Sequence, residues 1–423
     1  MVELMQQDAS DPKMLREPRL PRRDWILLPL LCLLTTGLLA ASTELIARLL
    51  FSEFATREDG CILKTDQSQG WRGIPNCVVR EKTAEGELVE HRFNSSGYRS
   101  SVEFGPKQPN TYRIVVVGSS IAMGGEVKME EGFAALLAGE LSQRTGRKVE
   151  VYNEAIAGWG GTPRNIASRF KSALSQQPDM VLWALTAWDI RNASGVWPTD
   201  EILPDEKRAT PNTGTPGVSK PGASRRRRGL LLRLRFIVPL TRRVVYDFWH
   251  SSRTNLMLTH YIDEYGSRSD YLDRCGIWHN DGQYLGAEPG IARLHHLEDF
   301  DGYAATIEAQ ASAAHVPLVA VLVPIRCHVA LISMGNWPAN IDPFSLDNEV
   351  RTIIVSHGGT YIDVLPDYRG IRNAEMGYFP VDGHLNPLGN STLSELLAKE
   401  LTSGAVPDLK VDTQFQSPGG QGP

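Results

Sequence analysis

Thr111-Tyr-Arg-Ile-Val-Val-Val-Gly-Ser-Ser-Ile-Ala-Met-Gly-Gly125 joins an apolar run to a turn of small residues. Ile114 to Val117 is an unbroken β-branched, apolar run, which reads as a fully buried strand. It stops at Gly118, and Ser119 and Ser120 follow. Between Glu130 and Leu141, the residues Phe133, Leu136, Leu137 and Leu141 recur at helical spacing. The pattern is buried strand, small-residue turn carrying serines, then helix. In an open α/β sheet, ligands collect at the carboxyl ends of the strands, and Ser120 stands at such an end. Taken alone it is either a functional group or a helix cap.

The same alternation continues downstream. Val149 to Tyr152 reads as a strand, Ala157-Gly-Trp-Gly-Gly-Thr-Pro163 as a glycine-rich loop, and Arg164 to Leu174 as a helix. Met180 to Leu185 is another buried strand after the turn-forming Pro178-Asp179. Tyr303 to Ala314 is an alanine-rich helix, Val316 to Val323 and Thr360 to Val364 are strands, and Asn390 to Leu401 is an amphipathic helix. Strands alternating with helices predict a parallel sheet covered on both faces. Residues 111–401 form this main domain, with a flexible insertion at 190–225 where Pro, Gly, Thr and Ser accumulate. A basic stretch follows, Arg225-Arg-Arg-Arg228 and then Gly229 to Trp249. It reads either as a surface helix or as a helix lying on an anionic membrane.

Upstream, Trp25 to Thr43 carries no charge. A spanning helix needs roughly 17–25 apolar residues, so 25–43 reads as a transmembrane anchor. Lys13, Arg16, Arg19, Arg22 and Arg23 precede it, which places 1–24 as a cytoplasmic tail and the remainder outside the cytoplasm. The apolar run is longer than the core of a signal peptide, and Ala40-Ala-Ser42 is a weak cleavage signal, so an uncleaved anchor is favoured. Residues 44–110 read as a stem followed by a small β-rich lead-in, with Gly70-Trp-Arg-Gly-Ile-Pro-Asn76 and Phe93-Asn-Ser-Ser-Gly-Tyr-Arg99 as its distinctive stretches. Residues 402–423 read as a disordered tail ending Ser-Pro-Gly-Gly-Gln-Gly-Pro.

Of the five cysteines, Cys32 lies in the span. Cys61 with Cys77 is a plausible local disulfide and Cys275 with Cys327 its complement, although four cysteines allow other pairings and unpaired thiols. Nothing has zinc-ligand spacing. The chain has 423 residues, 42% hydrophobic and 22% charged, with a net charge of -5. That composition supports a sizeable core and argues against nucleic-acid binding. No phosphate loop or dinucleotide fingerprint is present, so no cofactor and no metal are expected. Three sequons, at Asn94, Asn192 and Asn390, match a pattern short enough to occur by chance. His279, His295 and His296 have no supporting pattern and read as surface residues.

Four sites fall at strand ends or helix entries: Ser120, Gly158, Thr186-Ala-Trp-Asp189, and Asp382-Gly-His-Leu-Asn-Pro-Leu-Gly389. A parallel sheet gathers such ends on one edge. Serine, histidine and carboxylate together there supply a nucleophile, a general base and an orienting group. In this order the blocks resemble the SGNH (GDSL-type) hydrolases, and the lead-in resembles that of membrane-anchored members. The resemblance spans most of Asp59 to Leu401, and its specific parts are the Ser120 block and Asp382-x-His384-x-Asn386-Pro-x-Gly389.

The resemblance implies a flavodoxin-like three-layer α/β/α sandwich. It implies Ser120 as nucleophile, His384 as base, Asp382 as its orienting partner, and the N–H groups of Ser120 and Gly158 in the oxyanion hole. Two positions depart from the family pattern. Ser119 replaces the usual aspartate, where it would hydrogen-bond the turn. Trp188 stands where an asparagine normally donates to the oxyanion. Its indole N–H is a donor, Thr186 is a second nearby donor, and the alternative is a ring that fills the site. The leading reading is an extracytoplasmic serine esterase acting on acyl esters, O-acetyl esters among them, of a cell-envelope substrate. The rivals are an O-acyltransferase modifying envelope polysaccharide, and a degenerate domain that binds a glycan or a partner protein.

Overall fold

The computed structural model describes residues 21, 23–55, 61–64, 71–195, 251–269, 271 and 282–411. Five parallel strands form the central sheet: β6 (Thr111–Gly118), β7 (Lys148–Asn153), β8 (Met180–Leu185), β9 (Leu318–Leu322) and β10 (Thr360–Ile362). Their spatial order is β7-β6-β8-β9-β10. Counted along the chain this is the flavodoxin-like order, in which the connections turn opposite ways on either side of the first strand. That reversal opens a crevice at the carboxyl end of β6, immediately before Ser120.

Successive strand residues face opposite layers. Ile114, Val116, Leu182, Ala184, Val319 and Val321 join one core with Phe133, Leu137, Leu141, Leu393 and Leu397. Val115, Val117, Val181, Trp183, Ala320 and Leu322 join the other with Ile166, Phe170, Phe300, Ile307, Val350 and Ile354. The first layer holds α3 (Phe133–Thr145), α8 (Arg326–Met334) and α10 (Pro387–Glu400); the second holds α4 (Pro163–Ser175), α7 (Ile291–Ala313) and α9 (Ser345–Ser356). The result is the expected three-layer sandwich.

The lead-in is a separate antiparallel unit. Strands β1 (Phe54–Ala55), β4 (Val78–Lys82) and β5 (Leu88–Arg92) form one sheet, and β2 (Ile62–Lys64) pairs with β3 (Trp71–Gly73). Cys61 and Cys77 are joined in a disulfide, as the sequence suggested. Cys327 is also disulfide-bonded, while Cys275 lies outside the described residues. Two sequon asparagines are buried structural groups. Asn94 Oδ1 accepts the N–H groups of Ser96 and Tyr98, and Asn390 Oδ1 accepts that of Phe133.

Helix α1 runs from Asp24 to Leu50 with a mean hydropathy of 2.0 over its most apolar window, none of which is buried. It is long and apolar enough to cross a membrane. Its last turns meet α6 (Arg253–Tyr265), where Glu44 accepts hydrogen bonds from the N–H groups of Arg253 and Thr254 and the hydroxyls of Ser252 and Thr254.

Two expected boundaries are corrected. The segment 402–411 is ordered rather than a tail, because Val406 and Leu409 are buried beside Leu401 in the first core. The insertion does not begin at 190, since Ile190 and Arg191 complete a short helix α5 (Ala187–Arg191) and Ile190 is buried. The rest of the insertion, the basic stretch from Arg225 and residues 412–423 lie outside the described residues.

Candidate active site

The turn after β6 is shaped by close approaches. A Cβ on Gly118 would lie 2.6 Å from the Ala184 carbonyl oxygen, and one on Gly161 would lie 2.2 Å from Ser119 Cα. Only glycine permits these contacts, so β8 and the glycine-rich loop both press against the serine turn. Ser120 is the first residue of the short helix α2 (Ser120–Met123), where a helix leaves its amide N–H without an intrahelical acceptor. Gly158, with φ of +61°, opens a single 3-10 turn on the facing loop. Both line one cleft of about 520 Å3 with Ile121, Trp188, Ile325 and the 380–384 loop.

The fourth block closes on this turn from the far end of the chain. Ser120 Oγ lies 2.7 Å from His384 Nε2, and His384 Nδ1 lies 2.5 Å from Asp382 Oδ1. Asp382 Oδ1 also accepts the His384 backbone N–H at 3.1 Å. This pattern places the ring proton on Nδ1, toward Asp382, and leaves Nε2 free to accept from Ser120. Burial opposes ionisation of Asp382, but the His384 hydrogen bond and charge outweigh it and hold the carboxyl below its ordinary value. Burial likewise opposes a charged His384, yet the hydrogen bond and charge of Asp382, with the charge of Glu126, raise its pKa above the ordinary imidazole value.

Glu126 is a residue the sequence reading missed. It sits three residues beyond the end of α2, half-buried, with one carboxylate oxygen inside a group whose ligand atoms on Glu126, Asp382 and His384 lie within 4.8 Å of one another. Burial pushes its carboxyl above the ordinary value, the Asp382 charge adds to this, and Thr83 of the lead-in opposes it. No spacing rule links Glu126 to a histidine so distant in the chain. The lead-in also braces the loop that carries it: buried Arg99 donates to the carbonyls of Met123, Gly124 and Val127 at 2.8, 2.8 and 2.6 Å.

The two departures from the family pattern have a structural resolution. Ser119 Oγ donates to Asp189 Oδ2 at 3.1 Å, and the same oxygen accepts the Thr186 N–H and hydroxyl at 2.8 and 2.7 Å. Asp189 is fully buried, and that burial pushes its carboxyl up to about 7 against the pull of these hydrogen bonds. The serine turn and the Thr186 block are thus pinned together by one carboxylate oxygen. Thr186 is thereby committed to Asp189, which removes it as an oxyanion donor. Trp188 does not fill the site. The residue is 40% exposed, its ring stands edge to face with Trp159 at 5.7 Å between centroids, and it forms part of the cleft wall.

No family model matches the chain, and no curated protein matches it. Among solved structures it is similar to TesA, at 13% identity over 68% of this chain and 97% of that one, with a TM-score of 0.34. It is similar to Axe2, an acetylxylan esterase from Geobacillus stearothermophilus, at 10% identity over 69% and 94%, with a TM-score of 0.35. It is also similar to EstA, a psychrotrophic esterase from Pseudoalteromonas sp., at 12% identity over 69% and 96%, with a TM-score of 0.32.

Proposed function

We propose that the protein is a membrane-anchored serine esterase of the SGNH type, cleaving an acyl ester through an acyl-enzyme on Ser120. The observation that carries this is the continuous chain Ser120 Oγ, His384 Nε2, His384 Nδ1, Asp382 Oδ1, with its two contacts of 2.7 and 2.5 Å. His384 takes the Ser120 proton as Oγ attacks the ester carbonyl. The negative charge on the carbonyl oxygen faces the N–H groups of Ser120 and Gly158, with the Trp188 indole at the cleft wall as a further donor. The imidazolium then protonates the departing alkoxide, and water repeats the cycle on the acyl-enzyme. Asp382 holds the imidazole orientation and stabilises its charged form.

The apolar walls of Ile121, Ile325 and Val381 suit an acyl group, and the open mouth suits a larger alcohol such as a carbohydrate. The Cys61–Cys77 disulfide supports an oxidising compartment, and the arginines ahead of α1 support placing the domain on the extracytoplasmic side.

A fluorophosphonate that reacts with activated serines tests the reading. The full chain in detergent labels, and Ser120→Ala abolishes labelling, while His384→Ala slows it by at least ~10³. Absence of labelling in the folded wild type overturns the esterase assignment. In labelled protein, release of acetate to water in the presence of an added oligosaccharide separates hydrolysis from acyl transfer.

A further inference from the structure

Two groups stand beside the triad without belonging to it, Glu126 and Glu85. The second has the more specific set of contacts. Glu85 lies in the turn joining β4 to β5, in the lead-in rather than the main domain. A carboxylate at a hairpin tip is ordinarily solvated, yet this side chain is 1% exposed. Burying it is costly unless its oxygens are satisfied. Oε2 accepts the N–H of Asp382 at 2.6 Å and that of Val381 at 3.0 Å. Oε1 lies 3.1 Å from the Val381 N–H and 2.6 Å from His260 Nδ1.

Those two amides belong to the residues just ahead of Gly383-His384. Gly383 has φ of +84°, a conformation that favours glycine, so the backbone on either side of it needs other groups to fix its direction. Other anchors hold the loop at its edges. Arg326 donates to the Pro380 carbonyl at 2.7 Å, and the Gly383 N–H and Phe379 carbonyl pair at 3.0 Å. Glu85 alone among these contacts holds the backbone N–H of Asp382 itself. Behind it, His260 on α6 is backed by Glu264 at 2.9 Å and by the Phe51 ring at the end of α1, 5.1 Å between centroids. The titratable groups facing His384 are Asp382 and Glu126; the one facing Glu85 is His260, with Glu264 behind it.

We propose that Glu85 is a positioning residue, clamping the backbone of Val381 and Asp382 so that the Asp382–His384 pair stays in register with Ser120. This inference rests on the esterase reading of the Ser120 site. It gives the lead-in a role in the reaction: its hairpin holds the base loop from one side while Arg99 holds the nucleophile loop from the other. The clamp is continuous with α6 and so with the anchor helix.

The test uses the full chain in detergent with p-nitrophenyl acetate, and an NMR titration of His384 assigned with His384→Ala. Glu85→Ala lowers kcat by about tenfold to a hundredfold with little change in KM, as expected when reacting groups are misplaced by an ångström. It also moves the His384 titration to lower pH, because the Asp382 contact that raises it loosens. Glu85→Gln restores both, since its amide oxygen takes the two N–H groups and its amide nitrogen faces His260. Glu87→Ala, on the same hairpin but exposed and paired with Lys128, changes neither. If Glu85→Ala fails to fold, His260→Ala, which removes one of the two partners of Oε1 and leaves both backbone N–H contacts of Glu85 in place, gives a smaller shift in the same direction. Wild-type kcat and titration in Glu85→Ala, or equal losses in Glu85→Ala and Glu85→Gln, overturn the clamp and leave the esterase reading standing. A wild type without hydrolysis overturns the esterase reading, and the shift of the His384 titration in Glu85→Ala then still decides for the clamp, its absence against it.

Discussion

His384, the proposed base, is tuned by two carboxylates of different origin. Asp382 is in its own sequence block, whereas Glu126 arrives from the loop after α2. A base works only when neutral, so activity is present above the His384 pKa and is lost as pH falls through it. Since Asp382 and Glu126 raise that pKa, the acid limb of kcat/KM lies above the ordinary imidazole value. Glu126→Gln removes one of the raising charges and moves the limb to lower pH; an unmoved limb in a pH–rate profile counts against the assignment. Asp189 gives a second pH effect of opposite use. Its carboxyl is pushed up to about 7 by burial, so between about pH 4 and 7 the folded chain keeps a proton that the unfolded chain has lost. Stability attributable to this group therefore falls as pH rises across that window, by at most about 4 kcal/mol. Asp189→Asn keeps an acceptor for Ser119 and Thr186 and removes the titration. Its denaturation midpoint should change less between pH 5 and pH 7.5 than that of the wild type. Ser120, His384 and Asp382 were legible because each lies in a short local pattern at a strand or helix end. Glu85 and Glu126 were not, because what brings them to the site is contact with a loop far away in the chain, and an isolated glutamate in a polar turn carries no signal.

The elements differ in how openly the chain announces them. β8 and β9 are continuous apolar runs that formed within two residues of their expected places, while β6 extends its apolar run Ile114 to Val117 three residues back to Thr111. Helix α8 went unread because Arg326 through Ile332 are all buried, which leaves no polar face to produce a 3.6-residue period. Helix α7 begins twelve residues earlier than its alanine-rich half suggests. Its first turns bury Arg293 against Glu349 and Ser345, a pairing invisible in a hydrophobicity pattern. The glycine-rich loop reads as a loop from composition, but the sequence-level choice of Gly158 misses the steric role of Gly161. Gly161→Ala places a Cβ 2.2 Å from Ser119 Cα, 2.5 Å from its Cβ and 2.7 Å from the Gly118 oxygen. Backbone atoms on both sides must shift, so the variant loses about 1–3 kcal/mol and its fluorophosphonate labelling slows by ~10². Gly139→Ala on the exposed side of α3, where a Cβ meets nothing within 4 Å, instead gains about 0.5–1 kcal/mol. Equal behaviour of the two variants in thermal unfolding and labelling would remove Gly161 from the architecture of the site.

At the scale of the whole molecule, the chain is a sandwich gripped by its own lead-in. Residues 71–99 touch the main domain at the loops carrying Ser120 and His384, through Arg99 on the carbonyls after α2 and through Glu85 on the loop before α10. The lead-in has little core of its own, and a unit this small ordinarily needs a covalent brace. Cys61–Cys77 supplies one. It closes a segment with a sequence separation of 16, and loops of that length contribute about 3 kcal/mol by restricting the unfolded chain. The backbone around it is cross-tied: Ile74 N–H donates to the Cys61 carbonyl and Phe93 N–H to that of Cys77. Cys77 directly precedes β4, so the Cys61–Cys77 bond bears on where the β4–β5 hairpin starts and hence where Glu85 ends. Replacing both cysteines, Cys61→Ala with Cys77→Ala, therefore lowers conformational stability by about 3 kcal/mol and reduces hydrolysis before global unfolding, as the hairpin loosens from the Val381–Asp382 backbone. The measurement is a denaturant series read in parallel by p-nitrophenyl acetate turnover and by far-UV circular dichroism. In the double variant the activity midpoint falls below the dichroism midpoint, while in the wild type the two coincide. Coincident midpoints in both proteins would mean that the disulfide stabilises the chain without holding the site.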